Sequence, residues 1–151
     1  MPSCKGQIDY KPPSPKCWIY ETPEGWLIYA GKTDEDNDLL TLRFAHTGEH
    51  WFHINGMPGS HVLLRAPEGT ANTEAGKELL EKAAAVAAWH SKARSGGWCT
   101  VSTCLVQNVS KPRGAKPGLV ETASSRLLKV KPSIEGLVAK EMPSPAKGKA
   151  H

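Results

Sequence analysis

Two short runs of aromatic and β-branched residues, separated by a compact turn, constrain this chain more than any other feature. They form the stretch CWIYETPEGWLIYA over residues 17–30, with TPEG at its centre. Proline presets one backbone angle of a turn and glycine permits a positive φ, so these four residues suit a reversal of the chain. The pattern predicts a β-hairpin, and strands joined by such short turns favour a mainly antiparallel sheet.

The rest of the chain alternates between further strand patterns and two helical ones. Thr33 or Asp34 can cap a short helix whose first turn is acidic, as the helix dipole favours. Its buried side is expected to come from Leu39, Leu40, Leu42 and Phe44. The longest helix is predicted over residues 74–93, with a small-residue centre that can lie close to a sheet and with Lys92 and Arg94 in its last turn. The remaining strands are predicted over 50–54, 61–65 and 98–109, and a further strand or a hairpin over 119–132.

This order, β-β-α-β-β-α-β-β, predicts an α+β fold. We expect a mainly antiparallel sheet with one long and one short helix packed on one of its faces, giving two layers. The length of 151 residues fits a single domain. Its predicted bounds are 17–132, between a proline-rich flexible arm over 1–16 and a disordered tail over 133–151.

Several function classes are excluded by composition. No apolar run reaches the length of a transmembrane helix, and the first sixteen residues lack the apolar core of a secretory signal. We therefore expect a cytoplasmic protein with no membrane partner, whose four cysteines are reduced. Their spacings do not match zinc sites, so we expect neither a metal nor another cofactor.

Charge is strongly segregated along the chain although its net value is only +4. Residues 21–81 carry four basic and eleven acidic side chains, whereas residues 82–131 carry nine basic and one acidic. Such segregation indicates a polyanionic partner for the basic half. The alternative is that the two halves interleave in space and neutralise each other.

The segment SKPRGAKPG at 110–118 is the most informative candidate for binding. Lys111, Arg113 and Lys116 alternate with prolines, which stiffen the loop, and with glycines, which expose backbone amides. Fixed cations and amide donors together suit a backbone phosphate. The alternative is an ordinary solvated basic turn.

Weaker signals lie elsewhere. The connector GMPGSH at 56–61 can form a nest of amides beside Ser60 and His61, and Lys32 and Asn37 can reach out from one sheet edge. One or two of the five tryptophans are expected to be exposed stacking surfaces. His53 and His61 can meet across paired strands with Glu49 nearby, which leaves open a metal or catalytic site.

Taken in order, these segments resemble the NFACT-R domain, in the version that stands alone in bacteria. The resemblance covers about residues 25–132, and its matching stretches are GK with ND at 31–38, GEHWFHI at 48–54, PGSHV at 58–62, KAAA through SK at 82–92, and VSKPRGAKPGLV at 109–120. It implies a small α+β fold and RNA binding rather than catalysis, in ribosome quality control or tRNA metabolism. Glu49 stands where the family usually has Asp, a residue one methylene shorter.

The leading hypothesis is therefore a module that binds structured RNA such as tRNA or rRNA through its backbone, with a protein partner in tRNA modification or ribosome rescue as a further option. The predicted RNA-binding residues are Lys32, Asn37, His53, Ser60, His61, Arg65, Lys92, Lys111, Arg113 and Lys116. One rival is an RNA-modifying or RNA-processing enzyme, or its accessory subunit, built on Glu49, His53 and His61. Another is an adaptor whose acidic half docks a protein.

Overall fold

The computed structural model describes residues 14–141, which fold around two sheets and two helices. The helices are α1 (Asp34–Leu39), which continues as a π-helical turn over Leu40–Phe44, and α2 (Lys77–Trp89). The strands are β1 (Cys17–Glu21), β2 (Leu27–Gly31), β3 (His50–Ile54), β4 (Val62–Arg65), β5 (Cys99–Leu105), β6 (Val109–Ser110), β7 (Glu121–Thr122), β8 (Arg126–Val130) and β9 (Val138–Lys140). Seven of them form one antiparallel sheet in the order β8-β5-β3-β4-β2-β1-β9, and β6 pairs with β7. The α+β class with a mainly antiparallel sheet is confirmed.

The first hairpin and the short helix form as their sequences predict. β1 pairs with β2 across the TPEG turn, and Thr33 caps α1 by accepting the Asp36 amide at 3.1 Å. The prediction is wrong for one residue that was expected on the buried side of this helix. Leu40 and Thr41 take the buried positions of the π-helical turn, which leaves Leu42 39% exposed.

The sheet is covered on both faces, because side chains alternate along each strand. Phe52, Val62 and Leu64 pack with α2 in one cluster, while Trp51 and Leu63 pack with Leu40 in the other. The two helices therefore lie on opposite faces, which corrects the expectation that they share one. The rest of the α1 face is covered by the β6–β7 pair and by the loop that joins these strands. This loop contains SKPRGAKPG and is called the basic loop below.

Helix α2 is shorter than predicted at both ends. Its start is displaced by a 3-10 turn over Asn72–Glu74, and its last residue is Trp89. Lys92 and Arg94 therefore follow the helix, although Arg94 Nε still donates to the Trp89 carbonyl at 2.6 Å. The small residues at its centre, among them Ala83, Ala84 and Ala87, are fully buried against the sheet, as expected.

The C-terminal part differs most from expectation. The strand predicted over 98–109 ends at Leu105 with a 3-10 turn, after which the chain starts the separate β6–β7 pair. Val138–Lys140 pair with β1, and Ile134 and Leu137 pack against the core. Residues 133–141 are thus no disordered tail; the rest of that predicted tail, and residues 1–13 of the predicted arm, lie outside the described residues. Within residues 14–141, none of the helices has the length and apolarity needed to cross a bilayer.

Candidate nucleic-acid interface

One end of the main sheet collects cationic side chains, and we call it the cationic end. Strand register places the start of β1, the end of β2, the start of β4, the start of β5 and the end of β8 side by side. The Gly59–Ser91 bridge brings the turn after α2 to the same place. The basic residues there, on strand ends and in this turn, are Lys16, Lys32, Lys92, Arg94 and Lys131.

The opposite end of the sheet collects five of the fourteen acidic residues within residues 14–141. The β1–β2 turn, the start of β3 and the loop after β4 meet there, beside the start of α2. Their acidic residues are Glu24, Glu49, Glu68, Glu74 and Glu78. The acidic and basic halves of the sequence therefore do not fully interleave, although α1 still adds exposed Asp34 and Glu35 near the cationic end.

His61, at the start of β4, joins three parts of the fold at the cationic end. Its backbone amide donates to Asn37 Oδ1 at 3.0 Å, its Nδ1 lies 2.8 Å from Thr41 Oγ1, and its Nε2 lies 3.1 Å from the Gly118 carbonyl oxygen. The imidazole is only 2% exposed. His61 thus connects β4, the helical segment after β2, and the end of the basic loop.

The protonation of His61 follows from these partners. A carbonyl oxygen can only accept, so Nε2 carries the proton and Nδ1 accepts from the Thr41 hydroxyl. Thr41 in turn accepts from Trp51 Nε1 at 3.0 Å. Burial, with a smaller contribution from neighbouring His53, lowers the pKa of His61 to about 4. His61 is therefore neutral at pH 7.

The basic loop is fastened to α1 by one of its own lysines. Lys111 Nζ forms an ion pair with Asp38 Oδ2 at 3.0 Å and donates to the carbonyls of Lys116 and Leu119. The Gly118 amide donates to Asp38 Oδ1 at 3.1 Å. Lys111 therefore uses its charge inside the protein, whereas Arg113 and Lys116 stay exposed.

Asn37 and Ser60 are likewise engaged inside the protein. Ser60 Oγ donates to the Gly31 carbonyl at 2.6 Å, and both residues are buried. A Cβ on Gly31 would lie 3.1 Å from the Asn37 Cα and closer still to its carboxamide. Only glycine fits between β2 and α1 at this point, which explains Gly31 in the GK and ND stretch at 31–38.

The predicted RNA-binding residues thus fall into three groups. Asn37, Ser60, His61 and Lys111 form a hydrogen-bonded cluster, with the His53 ring 5.5 Å from that of His61. The exposed residues are Lys32, Lys92, Arg113 and Lys116, and none of these four forms an ion pair with another described residue. Arg65 alone lies at the far end of the sheet, so it is not part of this cluster.

Arg65 belongs to a different interaction. Its guanidinium pairs with Glu49, Nε to Oε2 at 2.5 Å, donates to the Phe44 carbonyl, and stacks over the Phe44 ring at 4.3 Å. Glu49 precedes His53 by four strand residues, about 13 Å. His53 and His61 meet across the paired strands, as predicted, but Glu49 is therefore not brought to them. No group of three metal-ligating side chains occurs within residues 14–141.

A groove of about 950 Å³ runs along α2 on the other face of the sheet. It is lined by five glutamates (Glu24, Glu74, Glu78, Glu81 and Glu135) and by four lysines (Lys77, Lys82, Lys129 and Lys131). This near balance of charge gives it no preference for a polyanion. The groove is thus less suited to nucleic acid than the cationic end.

Three contacts in this part of the fold were not predicted from the sequence. Asp38 and Thr41 lie within a helical segment where their polar side chains carried no signal, because their partners are 73 and 20 residues away. Trp18 stacks on His90 with ring centroids 4.2 Å apart. Alternation along β1 places Trp18 opposite buried Cys17 and Ile19, so its face was available from sequence but its partner was not.

Comparison with known proteins gives consistent results. A family model described as NFACT protein RNA binding domain matches residues 16–122. The Rqc2 homolog RqcH of Bacillus subtilis (strain 168) is 35% identical over 134 residues, which are 89% of this chain and 22% of that protein. The Rqc2 homolog RqcH of Streptococcus suis (strain 05ZYH33) is 37% identical over 107 residues, 71% of this chain and 18% of that protein.

A solved structure is similar as well. It is the C-terminal of the fibronectin/fibrinogen-binding protein from Streptococcus suis (FBPS), which superposes with a TM-score of 0.71 at 34% identity. The match covers 84% of this chain and 49% of that one. The chain spans about a fifth of the length of the curated relatives it matches.

Proposed function

Because this chain belongs to the family of NFACT protein RNA-binding domains, we propose that it binds structured RNA through phosphates at the cationic end of its sheet. tRNA is the first candidate ligand, since its folded backbone presents many phosphates at fixed spacing. By likeness to the RqcH relatives, the proposal includes a role linked to translation in the cytoplasm.

The observation that supports this proposal most is the fastening of the basic loop. Lys111 and Gly118 hold the loop to Asp38, so Arg113 and Lys116 project from a fixed backbone. Prepositioned cations lose less conformational entropy when they meet a phosphate than cations on a mobile chain. In this proposal Lys32 and Lys92 contact the same RNA, and the buried residues Asn37, Ser60 and His61 act by positioning the loop and the strand ends.

The test is the salt dependence of tRNA binding. Each phosphate contact that is lost reduces the slope of log K against log[salt] by about 1. The double variant R113A/K116A should therefore bind tRNA more weakly and show a slope smaller by about 2, with an unchanged melting temperature. Lys77→Ala, an exposed lysine at the start of α2, is the matched control and should leave the slope unaltered. Equal slopes for the double variant and the parent protein would disprove the assignment.

A further inference from the structure

We infer that Trp18 is a stacking platform for an unpaired nucleobase of the bound RNA. This inference rests on the proposed function and names a further feature of the ligand: a nucleotide outside the double helix, next to the phosphates held at the cationic end. Aromatic side chains bind unpaired bases by stacking, whereas the faces of paired bases are hidden inside a duplex.

The first observation is that Trp18 is partly exposed although it lies within strand β1 of the main sheet. Its side chain is 38% exposed, whereas Trp26 and Trp51 are 5% and 2% exposed and belong to the core. Aromatic rings that stay accessible on one side offer a surface on which a ligand can stack. More than a third of Trp18 is therefore accessible to a ligand.

The second observation is that the indole is held rigidly from behind. The His90 ring stacks on it with centroids 4.2 Å apart and planes 15° apart. His90 is itself fixed by Tyr20, whose hydroxyl lies 2.7 Å from His90 Nε2. Burial lowers the pKa of His90 to about 4, so the stack contains a neutral imidazole at pH 7. A ring fixed in this way loses little rotamer freedom when a base stacks on it.

The third observation is the charge beside the ring. The Lys32 ammonium lies 5.4 Å from the centroid of a Trp18 ring, and the Lys32 amide donates to the Lys16 carbonyl at 3.0 Å. Lys32 is exposed and forms no ion pair with another described residue, so its ammonium can move from the ring face to a phosphate when a base approaches the indole. A stacking ring with a cation next to it is the combination that single-stranded nucleic acid binds.

Trp98 is the obvious competitor, and its surroundings argue against it. It is more exposed than Trp18, at 62%, and Lys131 lies over its ring at 5.1 Å. However, it lines the groove along α2, where four lysines nearly balance five glutamates. This groove has no preference for RNA phosphates, so we expect a base to be less stable there than on Trp18.

The experiment uses two RNA probes with the full chain: a blunt hairpin whose strands are joined by an ethylene-glycol linker, so that all its bases are paired, and the same hairpin with a three-nucleotide single-stranded 3′ extension. The parent protein should bind the extended hairpin about tenfold more tightly than the blunt one, as expected for one stacked base. Trp18→Ala should abolish this difference while leaving the affinity for the blunt hairpin unchanged. Trp18→Phe should retain most of it, and Trp98→Ala should retain all of it.

The outcomes separate the platform from the proposed function. If the parent binds neither hairpin, the proposed function itself fails. Binding of both hairpins with equal affinity, or an extension effect that survives in Trp18→Ala, disproves the platform and leaves the function intact. Loss of affinity for both probes in Trp18→Ala, at an unchanged melting temperature, also disproves it, because the indole would then contact the duplex. The inference is also disproved if Trp18 binds a protein while the single-stranded extension does not change the affinity for RNA.

Discussion

Residue types that bind phosphates also bind backbone carbonyls and carboxylates, and the basic loop SKPRGAKPG places its cations in two different settings. Lys111 has the same chemistry as Lys116, yet its ammonium meets Asp38 and two carbonyls while that of Lys116 stays exposed. Spacing within SKPRGAKPG does not distinguish the two lysines, because Asp38 lies 73 residues earlier in the chain. The sequence could therefore locate the loop but not assign the role of each cation.

The first prediction at this scale concerns Lys111. Lys111→Met removes an ion pair and two hydrogen bonds that are only partly screened, so it should lower the free energy of unfolding by about 1–2 kcal/mol. It should also speed amide hydrogen exchange in residues 111–119, since the loop loses its fastening to α1. Urea denaturation and hydrogen-exchange mass spectrometry measure these effects. Lys116→Met serves as the control and should change neither; an equally stable Lys111→Met variant would contradict the assigned role.

The second prediction is a pH dependence that arises from His61. Its pKa is about 4 in the folded protein against 6.5 when unperturbed, so the unfolded chain binds the proton more readily. The contribution of this site to stability is complete above pH 6.5 and is lost as the pH falls towards 4, by roughly 3 kcal/mol. NMR titration of the imidazole should show no protonation of His61 above pH 5.5. A midpoint near 6.5 would be evidence against the buried, neutral state.

At the level of elements, the strands and helices with a clear periodicity or turn were predicted correctly from the sequence, whereas strands of two or three residues were not. The hairpin, β3, β4 and the small-residue face of α2 follow from periodicity and turn residues. β9 has three residues, all exposed, so it has no alternation to detect and depends on β1 for its hydrogen bonds. The face of the sheet on which α1 packs could not be predicted either, because the two residues between β2 and α1 do not determine to which side the chain turns.

The element-level prediction concerns residues 133–141. A chain ending at Pro132 loses β9 and the apolar contacts of Ile134 and Leu137 with the α2-side core. Compared with a chain ending at Glu141, it should be less stable by roughly 2–3 kcal/mol in urea denaturation. tRNA affinity should be the same for both, since β9 contributes none of the proposed contacts. Equal stability would show that β9 adds nothing to the fold.

For the molecule as a whole, the segregation of charge in the sequence becomes a separation between the two ends of one sheet. The strand order brings Lys32, which follows β2, and Lys92, which follows α2, to one end, although they lie sixty positions apart in the sequence. Glu68 and Glu78 are carried to the other end. Charge segregation therefore pointed to a polyanionic partner, while the proposed position of the binding surface depends on the topology.

A charge reversal at each end tests this separation. Glu35→Lys and Glu68→Lys change net charge equally, and both side chains are exposed. Glu35→Lys, near the cationic end, should tighten tRNA binding about tenfold at low salt, whereas Glu68→Lys should change it less than about threefold. Equal effects would mean that binding responds to net charge alone. Filter binding at two salt concentrations distinguishes these outcomes.

The connection from Trp51 through Thr41 and His61 to Gly118 has a consequence for selectivity. Because the loop is fastened to the interior of the sheet, the exposed side chains of Arg113 and Lys116 project from backbone positions of fixed spacing. They form a template for bound phosphates. Such a template rejects a polyanion whose charges are spaced differently, even when that polyanion carries more of them. We therefore expect the domain to prefer a folded RNA over heparin or poly(U) of equal charge, with discrimination set by shape.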